Sequence, residues 1–130
     1  MRTAVRWTLG IVVVSHGLIH LLGAAKGLGW SSVNQLSEPI DTMLGAAWLG
    51  AALLLVLAGV MVVRTSRAWW LVAAVAAVVS QAVILTSWSD AKAGSVVNVI
   101  LMVAAGYGFA ANGPSGLRAE YLHRVAVALA

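Results

Sequence analysis

Every charged side chain in this sequence lies outside four long apolar stretches, 7–25, 42–63, 68–89 and 93–117. A helix needs about 18–20 apolar residues to cross a hydrocarbon core about 30 Å thick. Hydrocarbon offers the backbone no water to bond, so such stretches must close their own N–H and C=O groups as helices. The sequence therefore predicts an all-α, integral membrane four-helix bundle. Its spans fall at about 4–25, 40–63, 68–88 and 92–111, forming one unit over 1–114 and followed by a tail over 115–130.

Composition agrees. The 130 residues are 62% hydrophobic and only 9% charged, whereas a soluble domain carries nearer a quarter. The net charge of +4 raises the question of nucleic acid, but the basic residues stand at helix ends rather than on a solvated face. The expected surroundings are a lipid bilayer, with no nucleic-acid partner. With no cysteine, the chain has no disulfide, thiolate metal site or dithiol relay of its own.

The arginines orient the bundle. Arg2 and Arg6 precede span one, Arg64 and Arg67 join spans two and three, and Arg118 and Arg124 follow span four. The other two connections hold Lys26, Glu38, Asp41, Asp90 and Lys92, which nearly cancel. Loops rich in Lys and Arg stay in the cytoplasm. Both termini are thus expected on the cytoplasmic side of a cell inner (plasma) membrane. Arg2, Arg6 and Gly23-Ala24-Ala25 loosely resemble a signal peptide, but the apolar run is long and holds two histidines.

Between the spans, Ser37-Glu38-Pro39 reads as the start of span two, and Ser89 or Asp90 as the cap of span four. Asn112-Gly113-Pro114 ends span four. In the tail, Leu117, Tyr121, Leu122, Val125 and Leu129 recur at helical spacing, predicting an amphipathic helix on the membrane surface. Small-residue pairs (Ala46 with Gly50, Ala73 with Ala77, Ala76 with Ser80, Gly10 with Gly17) suit close helix packing. Trp7, Trp30, Trp69, Trp70 and Trp88 fall at expected interfaces. Trp48 falls inside span two, where lipid contact is expected ahead of a pocket wall.

Polar residues within spans carry the functional signal, because they are costly in lipid. They are Ser15, His16, His20, Ser80, Gln81, Ser95 and Asn98. At a rise of about 1.5 Å per residue, His16 lies about 18 Å in from the cytoplasm, Gln81 about 20 Å in, and Asn98 about 9 Å below the outer surface. All three meet about 10 Å beneath the outer face of a core about 30 Å thick. His20, Asp90 and Lys92 lie just above. The expected ligand-binding residues are His16, His20, Gln81, Asp90, Lys92 and Asn98, with Asp90 setting which imidazole nitrogen carries the proton. Interhelical hydrogen bonding alone would use the same residue types. His16 and His20, at i and i+4, share a helix face. As metal ligands they would need Asp90 or Asp41 to join them, which makes a weak case, and no metal is assigned. The cofactor is left open.

The segments His16-Gly17-Leu18-Ile19-His20-Leu21-Leu22-Gly23 and Trp88-Ser89-Asp90-Ala91-Lys92-Ala93-Gly94, with Asn98 and Leu117-Arg118-Ala119-Glu120-Tyr121, resemble an uncharacterised bacterial family of four-span membrane modules. A looser likeness, through the His-Gly-Leu element and Lys26, is to DoxX-like membrane proteins, some of which work with quinones. These readings point to a membrane module that binds an amphipathic small molecule or a partner membrane protein in its outer half. The alternative is a redox or quinone-linked enzyme subunit with His16 or His20 as proton donor. A small transporter is less favoured, because span one lacks a carboxylate.

Overall fold

The computed structural model describes residues 1–130. It is all helical: α1 Thr3–Gly27, α2 Thr42–Val63, α3 Trp69–Thr86, the single turn α4 Trp88–Ala91, α5 Gly94–Asn112 and α6 Leu117–Leu129. Helices α1, α2, α3 and α5 form the bundle, and all four are long and apolar enough to cross a membrane. They run up and down, as the short α2–α3 and α3–α5 connections require. Six arginines gather at one end, called the basic end below. The long connection 28–41 closes the other.

Helix ends follow local chemistry. Asp41 caps α2, its carboxylate accepting from the Leu44 amide at 2.7 Å. Gly113 and Pro114 end α5, since proline cannot continue the ladder. Two expected caps are displaced. Ser37 does not start α2, and neither Ser89 nor Asp90 caps α5, whose first residue follows the uncapped Ala93. The reason is shared: Asp90 is spent on the Ser37 and Glu38 amides across the loop.

The core has two parts. One, toward the basic end, packs Leu9, Val13, Leu55, Val62, Trp69 and Leu101 with small residues of α3. Trp69 is therefore a core residue rather than a member of an exposed aromatic belt, while Trp7, Trp30 and Trp88 are exposed. The other part, toward the loop end, gathers Ala24, Val33, Leu36, Ile40, Trp48 and Val83. Ala73, Ala76, Ala77 and Ser80 face inward as their spacing suggested, whereas Ala46 is exposed and Gly50 faces open space.

Helices α1 and α2 make the closest contact in the bundle, and α1 and α5 the loosest of the four flanks. The α1–α2 approach depends on absent side chains. A Cβ on Gly45 would lie 2.7 Å from the Gly27 Cα, and one on Gly27 would lie 2.5 Å from the Gly45 Cα. Both clashes are with backbone, which cannot swing aside. Gly45→Ala is therefore expected to destabilise the bundle by about 1–3 kcal/mol, the usual cost of overpacking. Gly50→Ala, with nothing in its way, should be neutral or stabilise by up to about 1 kcal/mol. Thermal unfolding in detergent should rank the two in that order.

Candidate functional site

The polar residues of the loop-end half gather inside the bundle around Ser80. His16 and His20 project from one face of α1, and both are buried. The His20 Nδ1 lies 3.1 Å from the His16 carbonyl, so that nitrogen carries the proton and donates. The His20 Nε2 is then an acceptor, and the Ser80 hydroxyl donates to it at 3.0 Å. The Ser80 oxygen in turn accepts from the His16 Nε2 at 3.3 Å. The two rings meet edge to face with centroids 4.6 Å apart.

A second polar group sits on the flank between α3 and α5. The Gln81 Nε2 donates to the Ser95 hydroxyl at 3.0 Å, and the Asn98 Nδ2 donates to the Gln81 Oε1 at 3.1 Å. Asn98 is buried and also approaches His16, but its Oδ1 makes no hydrogen bond. Gln81 therefore does not join the imidazoles, as expected from its depth, but touches them only through Asn98. Ser80 and Gln81 lie at one level yet point about 100° apart, as successive residues of an α-helix must. Ser15 faces outward and takes no part.

Beside the histidines lies a cavity of about 340 Å³. His16, His20 and Trp48 form much of its wall, Ile19 and Val97 flank it on α1 and α5, and Leu36 covers it from the loop. Trp48 is only 3% exposed. It packs against His20 with ring centroids 4.9 Å apart, and its flat face fills the space left by Gly23, where a Cβ would fall 2.2 Å from the Trp48 Cδ2. The expected lipid contact of Trp48 is thus overturned, because Gly23 opens a slot that takes the indole into the bundle. The Trp48 Nε1 is buried without a partner. Such a group costs about 1–3 kcal/mol unless something accepts from it.

The loop over this cavity is clamped from both sides. The Lys26 ammonium donates to the carbonyls of Leu36 and Glu38, the latter at 2.8 Å. The Asp90 carboxylate accepts from the Ser37 amide at 2.6 Å, the Ser37 hydroxyl at 2.9 Å and the Glu38 amide at 3.2 Å. The Ser89 hydroxyl donates to the Glu38 carboxylate at 2.8 Å. Asp90 therefore lines the cavity mouth but hydrogen-bonds the loop rather than either histidine, so it does not set their protonation. Lys92 is exposed and lies apart from the cavity. Lys26 does not line the cavity either, but it is the lysine that holds the loop above it. Asp41, the other carboxylate considered for a metal, is engaged as the α2 cap.

Family models, curated proteins and solved structures were all compared with this chain, and none matches it.

Hydrogen bonds from the Ser37 hydroxyl and the Glu38 and Ser37 amides hold the Asp90 carboxyl below its ordinary value of 3.8. A depressed folded pKa adds stability that is complete above the unfolded value and is lost as pH falls through the folded one. The loop should stay clamped at neutral pH and loosen only below about pH 4, where the carboxylate takes up a proton. Hydrogen exchange at the Ser37 and Glu38 amides should show protection down to that pH. In Asp90→Ala the protection should be absent at every pH.

Proposed function

We propose that this chain is a multi-pass membrane protein whose loop-end half binds a small amphipathic molecule in the His16–His20–Trp48 cavity. The cavity itself carries the reading. Its volume of about 340 Å³ is that of a small-molecule site, and its apolar wall with few converging polar groups is the usual makeup of one. The unpartnered Trp48 N–H suits a ligand with a carbonyl or hydroxyl oxygen. Ile19 and Leu22 are exposed on α1 beside the cavity, so the seam between α1 and α5 gives a lateral path from the bilayer.

The arginine-rich end belongs in the cytoplasm and the clamped loop outside, by the bias of basic loops. The exposed α6, with Leu117, Tyr121 and Leu129 unburied, suits the membrane surface at the cytoplasmic side. Tags on the two termini should both be protected from added protease in intact cells. Opposite accessibility would remove this topology.

The binding test uses protein purified in mild detergent, with retained small molecules extracted and identified by mass spectrometry. Trp48→Phe keeps an aromatic side chain but trims the indole and deletes the N–H. If the indole serves a ligand, retention should fall about tenfold, while the empty protein loses at most about 1–2 kcal/mol, the lost packing being partly offset by removal of an unpaired buried donor. His16→Ala with His20→Ala should abolish retention. A lowered melting temperature with retention unchanged in both variants would reduce the polar cluster to interhelical packing. A second reading, a redox or quinone-linked subunit, draws on the Ser80 bridge between the imidazoles, an arrangement suited to passing a proton. A quinone among the extracted molecules would select it.

A further inference from the structure

At the basic end, Arg6 of α1, Arg67 of the α2–α3 turn and Arg118 at the start of α6 line one cavity of about 260 Å³, with Ser66 and Asn112 in the same wall. No carboxylate lines it. The chain's single ion pair joins Arg124 to Glu120, so none of these three guanidinium groups is neutralised within the protein. The Arg6 Nε is buried and makes no hydrogen bond. Three arginines from three elements line one hollow, Arg67 and Arg118 being exposed, and an anion between them would accept charge-assisted hydrogen bonds from like charges that otherwise repel. Their planar forks match phosphate oxygens in particular.

Met1 and Tyr107 belong to this cavity and also to an apolar groove of about 690 Å³ that runs between α1 and α5. Val5 and Val12 form its α1 side, and Ile100 and Val103 its α5 side. From Ala4 to Val12 the groove follows α1 for about 12 Å. It exists because α1 and α5 are the loosely packed pair. A basic hollow that continues into an apolar channel has the form of a phosphate ester joined to a hydrocarbon chain.

We infer that these two depressions form one site for an anionic phospholipid of the leaflet at the basic end. Arg6, Arg67 and Arg118 hold its phosphate, and the α1–α5 groove holds one acyl chain. A free phosphate would need only the hollow, and the groove is what assigns the occupant to lipid. The site lies at the end opposite the histidine cavity and does not depend on what that cavity binds.

Native mass spectrometry of the full chain, with phosphatidylglycerol or phosphatidylcholine added to the detergent, tests this. One phosphatidylglycerol should stay bound under conditions that strip phosphatidylcholine. Arg67→Gln should weaken retention about fivefold, the effect of one basic residue at an anionic membrane surface. Combined Arg6→Gln, Arg67→Gln and Arg118→Gln should remove the preference. Ala104→Trp fills the groove and leaves the arginines in place, so it should weaken phosphatidylglycerol too, and it gives a readout even where the triple variant does not fold. Equal retention of the two lipids, or phosphatidylglycerol held unchanged by Arg67→Gln and Ala104→Trp, overturns the proposal. Displacement by excess inorganic phosphate, with Ala104→Trp without effect, identifies a free-anion site and overturns the lipid assignment.

Discussion

An unpartnered polar group in hydrocarbon costs several kcal/mol, and the interior of this bundle is arranged around avoiding that cost. The Ser80 hydroxyl lets two imidazoles share one partner: it donates to His20 and accepts from His16. His20 discharges its remaining proton on the carbonyl one turn earlier in its own helix. Three polar side chains from two helices are thereby closed into a set that needs no water. The same economy ties Gln81, Ser95 and Asn98 together between α3 and α5. Against this background the few exceptions carry information. Four buried polar atoms stay unpartnered: the Asn98 Oδ1, the Ser87 Oγ, the Trp48 Nε1 and the Arg6 Nε, the last two in residues that line cavities.

Both cavities owe their existence to an unequal bundle. Helices α1 and α2 are drawn together where Gly27 meets Gly45, although the longest connection joins them. That tight pairing fixes α1 toward α2 and leaves its other flank only loosely packed on α5. The seam so formed is polar at its loop end, where His16 and His20 border it, apolar along its middle, and basic at the far end. In a bilayer such a seam faces lipid along its whole length. The chemistry of the seam, polar at both ends and apolar between, is the basis for proposing both binding sites.

The architecture was legible because it rests on length and charge placement, which sequence states directly. The level of the polar layer was legible too, because helical rise turns residue number into depth. Facing was harder. Gln81 and Ser80 share a level, but the rotation per residue sends one to the α5 flank and the other to the histidines. Choosing between them requires the helix's azimuth, which a hydrophobic face would reveal in a soluble protein. In α2 and α3 nearly every face is apolar, and that signal vanishes. Trp48 shows a second limit: its burial depends on Gly23 of another helix presenting no side chain, a pairing visible only once α1 and α2 are in register. Lys26 and Lys92 show a third. Both lie at the same end, Lys26 in the last turn of α1 and Lys92 before α5, and which one meets the loop over the cavity depends on the path of that loop.

That path is set by an unusual use of charge. Lys26 and Asp90 would make a poor surface salt bridge, worth at most about 1 kcal/mol. Instead they act on the two polarities of one extended segment, the ammonium taking the carbonyls of Leu36 and Glu38 and the carboxylate taking the amides of Ser37 and Glu38. Each ion satisfies backbone groups that α2 cannot use, since its first turn begins at Thr42 and is capped by Asp41. The segment so fixed lowers the side chain of Leu36 over the cavity. Lys26 touches only backbone carbonyls, while Asp90 also takes the Ser37 hydroxyl, so the clamp engages the segment mainly through its backbone and leaves the Leu36 side chain to face the cavity. The requirement falls on the two charges, one closing α1 and the other in the turn before α5, which places control of the cavity's cover on the same two helices whose loose seam forms its side.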